Sequence, residues 1–68
     1  MKYIYTELSI IDREVINEIN FINLKSINRH LNTIGLTIDK SINTMEVIIP
    51  MYFTEDEHLN VIHRIEKV

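Results

Sequence analysis

The side chains that could do chemistry in this chain are few and far apart. Glu55-x-x-His58 has the spacing of the ligand pairs in di-metal carboxylate bundles, but such sites need matching ligands from other helices, and the chain offers none that convinces. His58 and His63 are five residues apart, a spacing that turns two side chains away from each other on a helix. We therefore predict no metal site, and we expect His30, His58 and His63 to be surface or interface side chains.

Covalent and phosphate chemistry are equally poorly supported. The three serines, Ser9, Ser26 and Ser41, lie in no strained turn typical of a nucleophile and have no histidine at a suggestive spacing. The chain has a single glycine, which excludes a glycine-rich phosphate loop. The sequence thus predicts a protein that is not an enzyme, has no catalytic residues and uses no cofactor.

The composition predicts one small domain with a limited core. The chain has 68 residues, of which 46% are hydrophobic, with no cysteine, alanine or tryptophan. A domain of this size buries only about 60% of its unfolded surface, and its core seldom supplies more than about 3 to 5 kcal/mol without a disulfide, a metal or a partner. We therefore expect residues 1–68 to form a single globular domain with some of its isoleucines in an interface.

Charge and hydropathy narrow the possible partners and the compartment. The net charge of −3 is small and has the wrong sign for an obvious nucleic-acid binder. No apolar run approaches the length of a membrane span, and the N-terminus lacks the layout of a signal peptide. The sequence predicts a cytoplasmic protein without a membrane partner. Its richness in isoleucine and asparagine, with little alanine or glycine, is typical of an AT-rich genome.

A long helical body is predicted between Asp12 and Gly35. Apolar residues recur there at intervals of three and four, but the stripe changes face within residues 20–23. Two interpretations remain open: one long helix between two apolar surfaces, or two helices over residues 12–20 and 25–34 joined by a short turn. Ser9 and Asp12 have capping-box spacing at the start, and Gly35 suits a left-handed cap at the end.

The flanking segments complete an α+β fold. Residues 2–10 alternate as a strand, with Ile4, Leu8 and Ile10 towards the helix and Tyr3 and Tyr5 on the second face. After Gly35, residues 36–38 and 45–49 predict a hairpin, and Thr54 to Glu57 form a capping box for a last helix. The predicted order is β-α(kinked or two helices)-β-β-α, with the hairpin packed on the helices.

The hypothesis favoured by these features is a protein-protein interaction module. Pro50 cannot donate to a ladder, so it ends the second hairpin strand or puts it at a sheet edge, where a second chain can dock. We expect that module to be a homodimer, an accessory subunit or a small regulatory inhibitor of a larger protein, of the kind that phages and mobile elements carry. The predicted contact residues are Val47, Ile49, Met51 and Phe53.

The alternative hypothesis is a winged helix-turn-helix DNA-binding regulator. If residues 20–23 form a turn, two helices flank it and the hairpin lies where a wing would be. The segment Ile27-Asn28-Arg29-His30-Leu31 resembles the recognition helix of small repressors. Asn17, Asn20 and Phe21 depart from the residue types usual in that motif, and its turn would need an extra residue. The DNA-contacting residues in this alternative are Lys25, Asn28, Arg29 and Asn32.

Overall fold

The fold is an antiparallel sheet with one short helix. The computed structural model describes residues 2–53 and 57–68, and it describes side chains for residues 2–49 and 61–68. In chain order the elements are β1 (Tyr3–Ser9), β2 (Val15–Phe21), α1 (Leu24–Leu31), a 3-10 helix (Asn32–Ile34), β3 (Thr44–Phe53) and β4 (Glu57–Lys67). All strand pairs are antiparallel, and the order across the sheet is β2-β1-β4-β3.

This architecture overturns the predicted order β-α(kinked or two helices)-β-β-α. The first half of the predicted central helix is strand β2, and the predicted last helix is strand β4. Residues 36–38 are not a strand. The predicted capping box falls on Thr54, Glu55 and Asp56, which lie outside the described residues, and Glu57 begins β4. The described residues therefore fold as two hairpins flanking a two-turn helix.

Strand β2 forms because its residues suit a ladder better than a helix. Val15, Ile16 and Ile19 are β-branched, which raises strand propensity and lowers helix propensity. The turn before it is closed by Ser9 N–H donating to the Glu14 carbonyl at 2.9 Å. The register then shifts between Glu7 and Leu8, so that Leu8 pairs with Val15 and Ile16 has no partner in the ladder. Ser9 thus ends strand β1 and closes the turn, and it is not a helix cap.

Residues 57–67 form strand β4 because β1 and β3 pair with this segment on its two edges. It pairs with β1 from Tyr3 opposite Lys67 to Ser9 opposite Val61, and with β3 from Glu57 to Glu66. Neighbouring strands on both edges shield its side chains on either face, so its buried apolar residues need not alternate strictly. Val61, Ile62 and Ile65 are all buried, although the same three residues also fit one face of a helix.

Helix α1 begins one residue before the predicted helix over residues 25–34, and the 3-10 turn that follows it ends at Ile34 as predicted. Asn23 is its N-cap and accepts a hydrogen bond from Ser26 N–H at 2.8 Å. After the 3-10 turn, Gly35 has φ of 80° and Leu36 N–H donates to the Leu31 carbonyl at 2.9 Å, which is the predicted left-handed cap. Of the two interpretations, only the second helix over residues 25–34 is confirmed, as α1 with its 3-10 turn; the single long helix and the helix over residues 12–20 were wrong.

The core lies between α1 and one face of the sheet. Tyr3, Tyr5 and Ile65 pack there against Ile27, Leu31 and the loop residue Ile38. The prediction that Tyr3 and Tyr5 lie on the face away from the helix was wrong. A helix of only two turns leaves a wide gap over a four-stranded sheet, and two tyrosine rings fill more of that gap than isoleucines can.

Candidate functional site

The predicted absence of catalytic and metal sites can be compared with the described side chains. No group of three or more His, Cys, Asp or Glu residues within that part of the chain could hold a metal ion. Ser9 accepts a hydrogen bond from Ile11 N–H, Ser26 takes part in the helix cap, and Ser41 bonds to Asp39. Each serine therefore has a local structural role. No helix formed by the described residues is long and apolar enough to cross a membrane.

His63 is buried, which the sequence did not predict. Its side chain is 2% exposed, and its Nδ1 lies 2.6 Å from the Tyr5 hydroxyl. The Tyr5 ring also meets His30 edge-on, with 4.6 Å between ring centroids. On a helix His63 would have been turned to solvent, but in strand β4 it lies on the same face as Val61 and Ile65, towards the helix.

The electrostatics of this pair favour neutral side chains. Burial lowers the pKa of His63, an effect that the negative charge of Glu7 partly offsets and that His30 reinforces. Burial and the charge of Glu7 raise the pKa of Tyr5 to about 12. Tyr5 is therefore protonated and donates to a neutral imidazole at Nδ1. Among the described residues the opposite nitrogen, Nε2, has no partner.

The geometry around His63 gives it a structural role. A cavity of about 340 Å³ lies where β1 begins and β2 ends, and neither His63 nor Tyr5 lines it. A substrate therefore has no route to the imidazole through that cavity. The hydrogen bond at Nδ1 links β1 to β4 within the core.

The predicted interface residues lie on an edge strand. β3 is the last strand of the sheet, and Pro50 lies within it. Of the two predicted consequences of this proline, the end of a strand or a position at a sheet edge, the structure has the edge. Val47 and Ile49 are half-buried, whereas Ile48 between them is 56% exposed. Met51 and Phe53 belong to the β3 backbone, and their side chains are outside the described part. Ile48 is the exposed apolar residue that the prediction missed.

The outer part of the β3-β4 hairpin extends past the rest of the sheet. β1 ends its pairing with β4 at Ser9 opposite Val61, but the β3-β4 ladder continues from Pro50 opposite Asn60 to Phe53 opposite Glu57. Over these four pairs the described ladder has only two strands. An isolated two-stranded ribbon is only marginally stable in water, so this end of the sheet gains most from an added strand.

An apolar row crosses the sheet on the face opposite α1. The pairing register places Ile48, Ile62, Leu8 and Val15 side by side on the four strands. Leu8 and Ile62 in the middle are buried, and Ile48 and Val15 at the two ends are exposed. Next to this row, Arg13 bonds to Glu46 at 2.8 Å and holds the pKa of that carboxyl below its usual range. Solvent therefore reaches the apolar row at its two ends, Ile48 and Val15.

The helix-turn-helix arrangement is not formed, because residues 15–21 are a strand where that motif needs its first helix. Lys25, Arg29 and Asn32 are exposed on or beside α1. Asn28 is half-buried, and its amide group bonds to both backbone groups of Ile38 at 2.8 Å. Three of the four predicted DNA-contacting residues are therefore exposed, whereas Asn28 holds the backbone of Ile38 in place.

We expect Asn28→Ala to destabilise the fold. The change leaves the N–H and carbonyl of the buried residue Ile38 without their partner, and each such buried group costs about 1 to 3 kcal/mol. Urea unfolding followed by circular dichroism measures the loss. Asn32→Ala on the exposed side is the matched control and should change the free energy of unfolding by less than about 0.5 kcal/mol. Equal stabilities for the two variants would contradict this role of Asn28.

No protein-family model, curated protein sequence or solved structure matches this chain. What the protein can bind is therefore derived from its own surfaces. In the part that the structure describes, the surface most suited to binding is the β3 edge, with Ile48 exposed at its middle and a two-stranded ribbon at its end.

Proposed function

We propose that this protein is not an enzyme and acts by binding a protein chain along strand β3, as a small regulatory inhibitor or a homodimeric accessory subunit. The observation that carries the proposal is that β3 is a ten-residue edge strand whose exposed residue Ile48 ends an apolar row. Ten residues of strand extend about 33 Å, which is long enough to present a continuous edge to a partner.

The backbone of β3 supports this mode of binding. The outer side of an edge strand presents N–H and carbonyl groups that an incoming strand can pair with, while pockets for alternate side chains give specificity. Natural edge strands are usually protected by lysine, proline or bulges. β3 has Pro50 but no lysine, and its only charged residue, Glu46, is already bonded to Arg13.

The second edge of the sheet is less suited to pairing. β2 carries Glu18 at its middle, and the register shift beside Ile16 interrupts its ladder. An acidic residue and a bulge both discourage edge-to-edge pairing. Of the two edges, β3 is therefore the one that supports a protein contact.

The test compares two lysine substitutions at similarly exposed isoleucines on opposite edges. Ile48 is 56% exposed on β3 and Ile16 is 59% exposed on β2, so neither change removes core packing. Tagged wild type, Ile48→Lys and Ile16→Lys are purified from cells that express the protein naturally, and associated chains are quantified. We expect wild type and Ile16→Lys to retain a partner chain, a second copy or a different protein, in stoichiometric amount and Ile48→Lys to lose it.

Two further measurements decide the outcome. Any retained chain is recombined with the purified protein, and hydrogen exchange should show protection of β3 amides in the complex. Retention that is equal in Ile48→Lys and wild type, or absent from both, overturns the proposal. Binding of a random-sequence DNA duplex that weakens steeply with salt would also overturn it, because Lys25 and Arg29 on α1 would then be the contact residues.

A further inference from the structure

We infer that the chain bound along β3 is a second copy of this protein, paired antiparallel about a twofold axis through Ile48. The inference rests on the proposed function, since it takes β3 as the binding edge. It adds the identity of the partner and the register of the contact. The resulting assembly is a dimer with one eight-stranded sheet, in which the two β3 strands are the central pair.

The amino acids of β3 are self-complementary in this register. Antiparallel pairing about Ile48 places Ile48 opposite Ile48 of the second copy, and Val47 opposite Ile49. Two steps further out, Met45 lies opposite Met51, and Thr44 lies opposite Tyr52 at the ends. Apolar and β-branched pairs of this kind each contribute roughly 0.2 to 1 kcal/mol relative to alanine pairs. No position in the pairing brings two charges of the same sign together.

The one charged residue of β3 tolerates the contact. Glu46 lies opposite Pro50 of the second copy in this register, and its carboxylate is occupied within its own chain. Arg13 bonds to it at 2.8 Å, and Arg64 lies 3.9 Å away. Pairing about Val47 would instead place Glu46 opposite Ile48, which sets a carboxylate against the exposed isoleucine. Pairing about Ile48 brings the two exposed isoleucines together.

The same arithmetic excludes the other edge. Antiparallel self-pairing of β2 about its middle residue places Glu18 opposite Glu18, and like charges directly opposite each other are destabilising. Shifting the axis by one residue places Glu18 opposite Ile16 or Asn20. Either shift sets the Glu18 carboxylate against an isoleucine or an amide, and the unpaired residue Ile16 still interrupts the ladder. β3 is thus the edge whose composition allows a symmetric contact.

The contact also completes the apolar row. In each copy the row ends at Ile48, which is more than half exposed, next to the buried residue Ile62. Across the axis the two rows become continuous, and each Ile48 is covered by its counterpart. The two-stranded outer part of each hairpin gains a third strand from the other copy. Both effects add burial to a domain whose own core is small.

Disulfide trapping tests the register directly, because the chain contains no cysteine of its own. Ile48→Cys places two thiols opposite each other on the axis, where the α-carbons of an antiparallel pair are about 4.5 to 5.5 Å apart, within disulfide range. Ile49→Cys places its two α-carbons more than about 7 Å apart in this register, beyond that range. Ile16→Cys, at the other edge and equally exposed, reports random collision.

We expect Ile48→Cys to cross-link under mild oxidation at least about tenfold faster than Ile16→Cys and Ile49→Cys. Light scattering after size exclusion should show wild type as a dimer at the same protein concentration. Equal rates for Ile48→Cys and Ile16→Cys, or faster cross-linking by Ile49→Cys, overturn the register and axis. A wild type that is monomeric at all concentrations overturns the second copy, and an Ile48-dependent complex with a different protein would then leave the proposed function standing.

Discussion

Leu31→Ala is expected to leave much of the protein unfolded at room temperature. Leu31 has 0% exposure in the core between α1 and the sheet. Truncating a buried leucine costs about 2 to 5 kcal/mol, the sum of lost transfer free energy and a residual cavity. That loss is comparable with the whole stability of about 3 to 5 kcal/mol that a core of this size supplies. Urea titration with circular dichroism should show an early or absent folded baseline.

Ile22→Ala is the matched control for this prediction. Ile22 is 74% exposed after the end of β2, so its truncation should change the free energy of unfolding by less than about 0.5 kcal/mol. If self-association stabilises the fold, both unfolding midpoints will rise with protein concentration, and the difference between the variants should persist. A Leu31→Ala protein as stable as Ile22→Ala would contradict the placement of α1 on the sheet.

Acidification is expected to destabilise the protein through His63. An unperturbed histidine has a pKa of about 6.5, and burial lowers the pKa of His63 in the folded state. Between those two pKa values the unfolded chain binds more protons than the folded chain, so the free energy of unfolding falls as the pH drops below about 6.5. At higher pH both states are neutral at this residue and the contribution is complete. Thermal melting from about pH 7.5 to about pH 5 measures the effect.

His63→Leu isolates this titration from that of the other histidines. Leucine fills a similar volume without a titratable group, so the variant should lose less melting temperature than wild type as the pH falls through the same window. Glu46 and Asp39 have pKa values held below their usual range and do not titrate there. Equal pH dependence in the two proteins would show that His63 is accessible to protons in the folded state. Tyr5 would then not hold a neutral imidazole.

Local signals in the sequence were sufficient for helix α1. The stripe of Leu24, Ile27 and Leu31 and the left-handed turn at Gly35 act within a few residues, and the cap at Asn23, which was not predicted, is equally local. Hydrogen bonds and contacts within the helix satisfy most of its backbone groups, so a helix can be predicted without knowing what it packs against. The same local logic indicated a strand around residues 45–49 and, through Pro50, a strand that can lie at an edge.

The two segments that were predicted to be helices contain patterns that fit both structures. Val61, Ile62 and Ile65 fit one face of a helix and also fit a strand that is covered on both sides. Neither of these segments contains a glycine or proline that would decide between a helix and a strand. Residues 20–23 were predicted to lie within one helix that changes face or to form a turn between two helices. In the structure they connect the end of β2 to Asn23, the N-cap of α1.

The sequence by itself determined that residues 25–34 are helical, that a left-handed turn at Gly35 follows them and that a strand lies near Pro50, because each depends on interactions between near neighbours. Only the tertiary structure decided that residues 15–21 and 57–67 are strands, because β1 lies between them and supplies both with hydrogen-bond partners distant in sequence. That pairing also decided the burial of His63 beside Tyr5 and the exposure of Ile48 at the edge. A strand's partners are non-local, and its side chains take their surroundings from them.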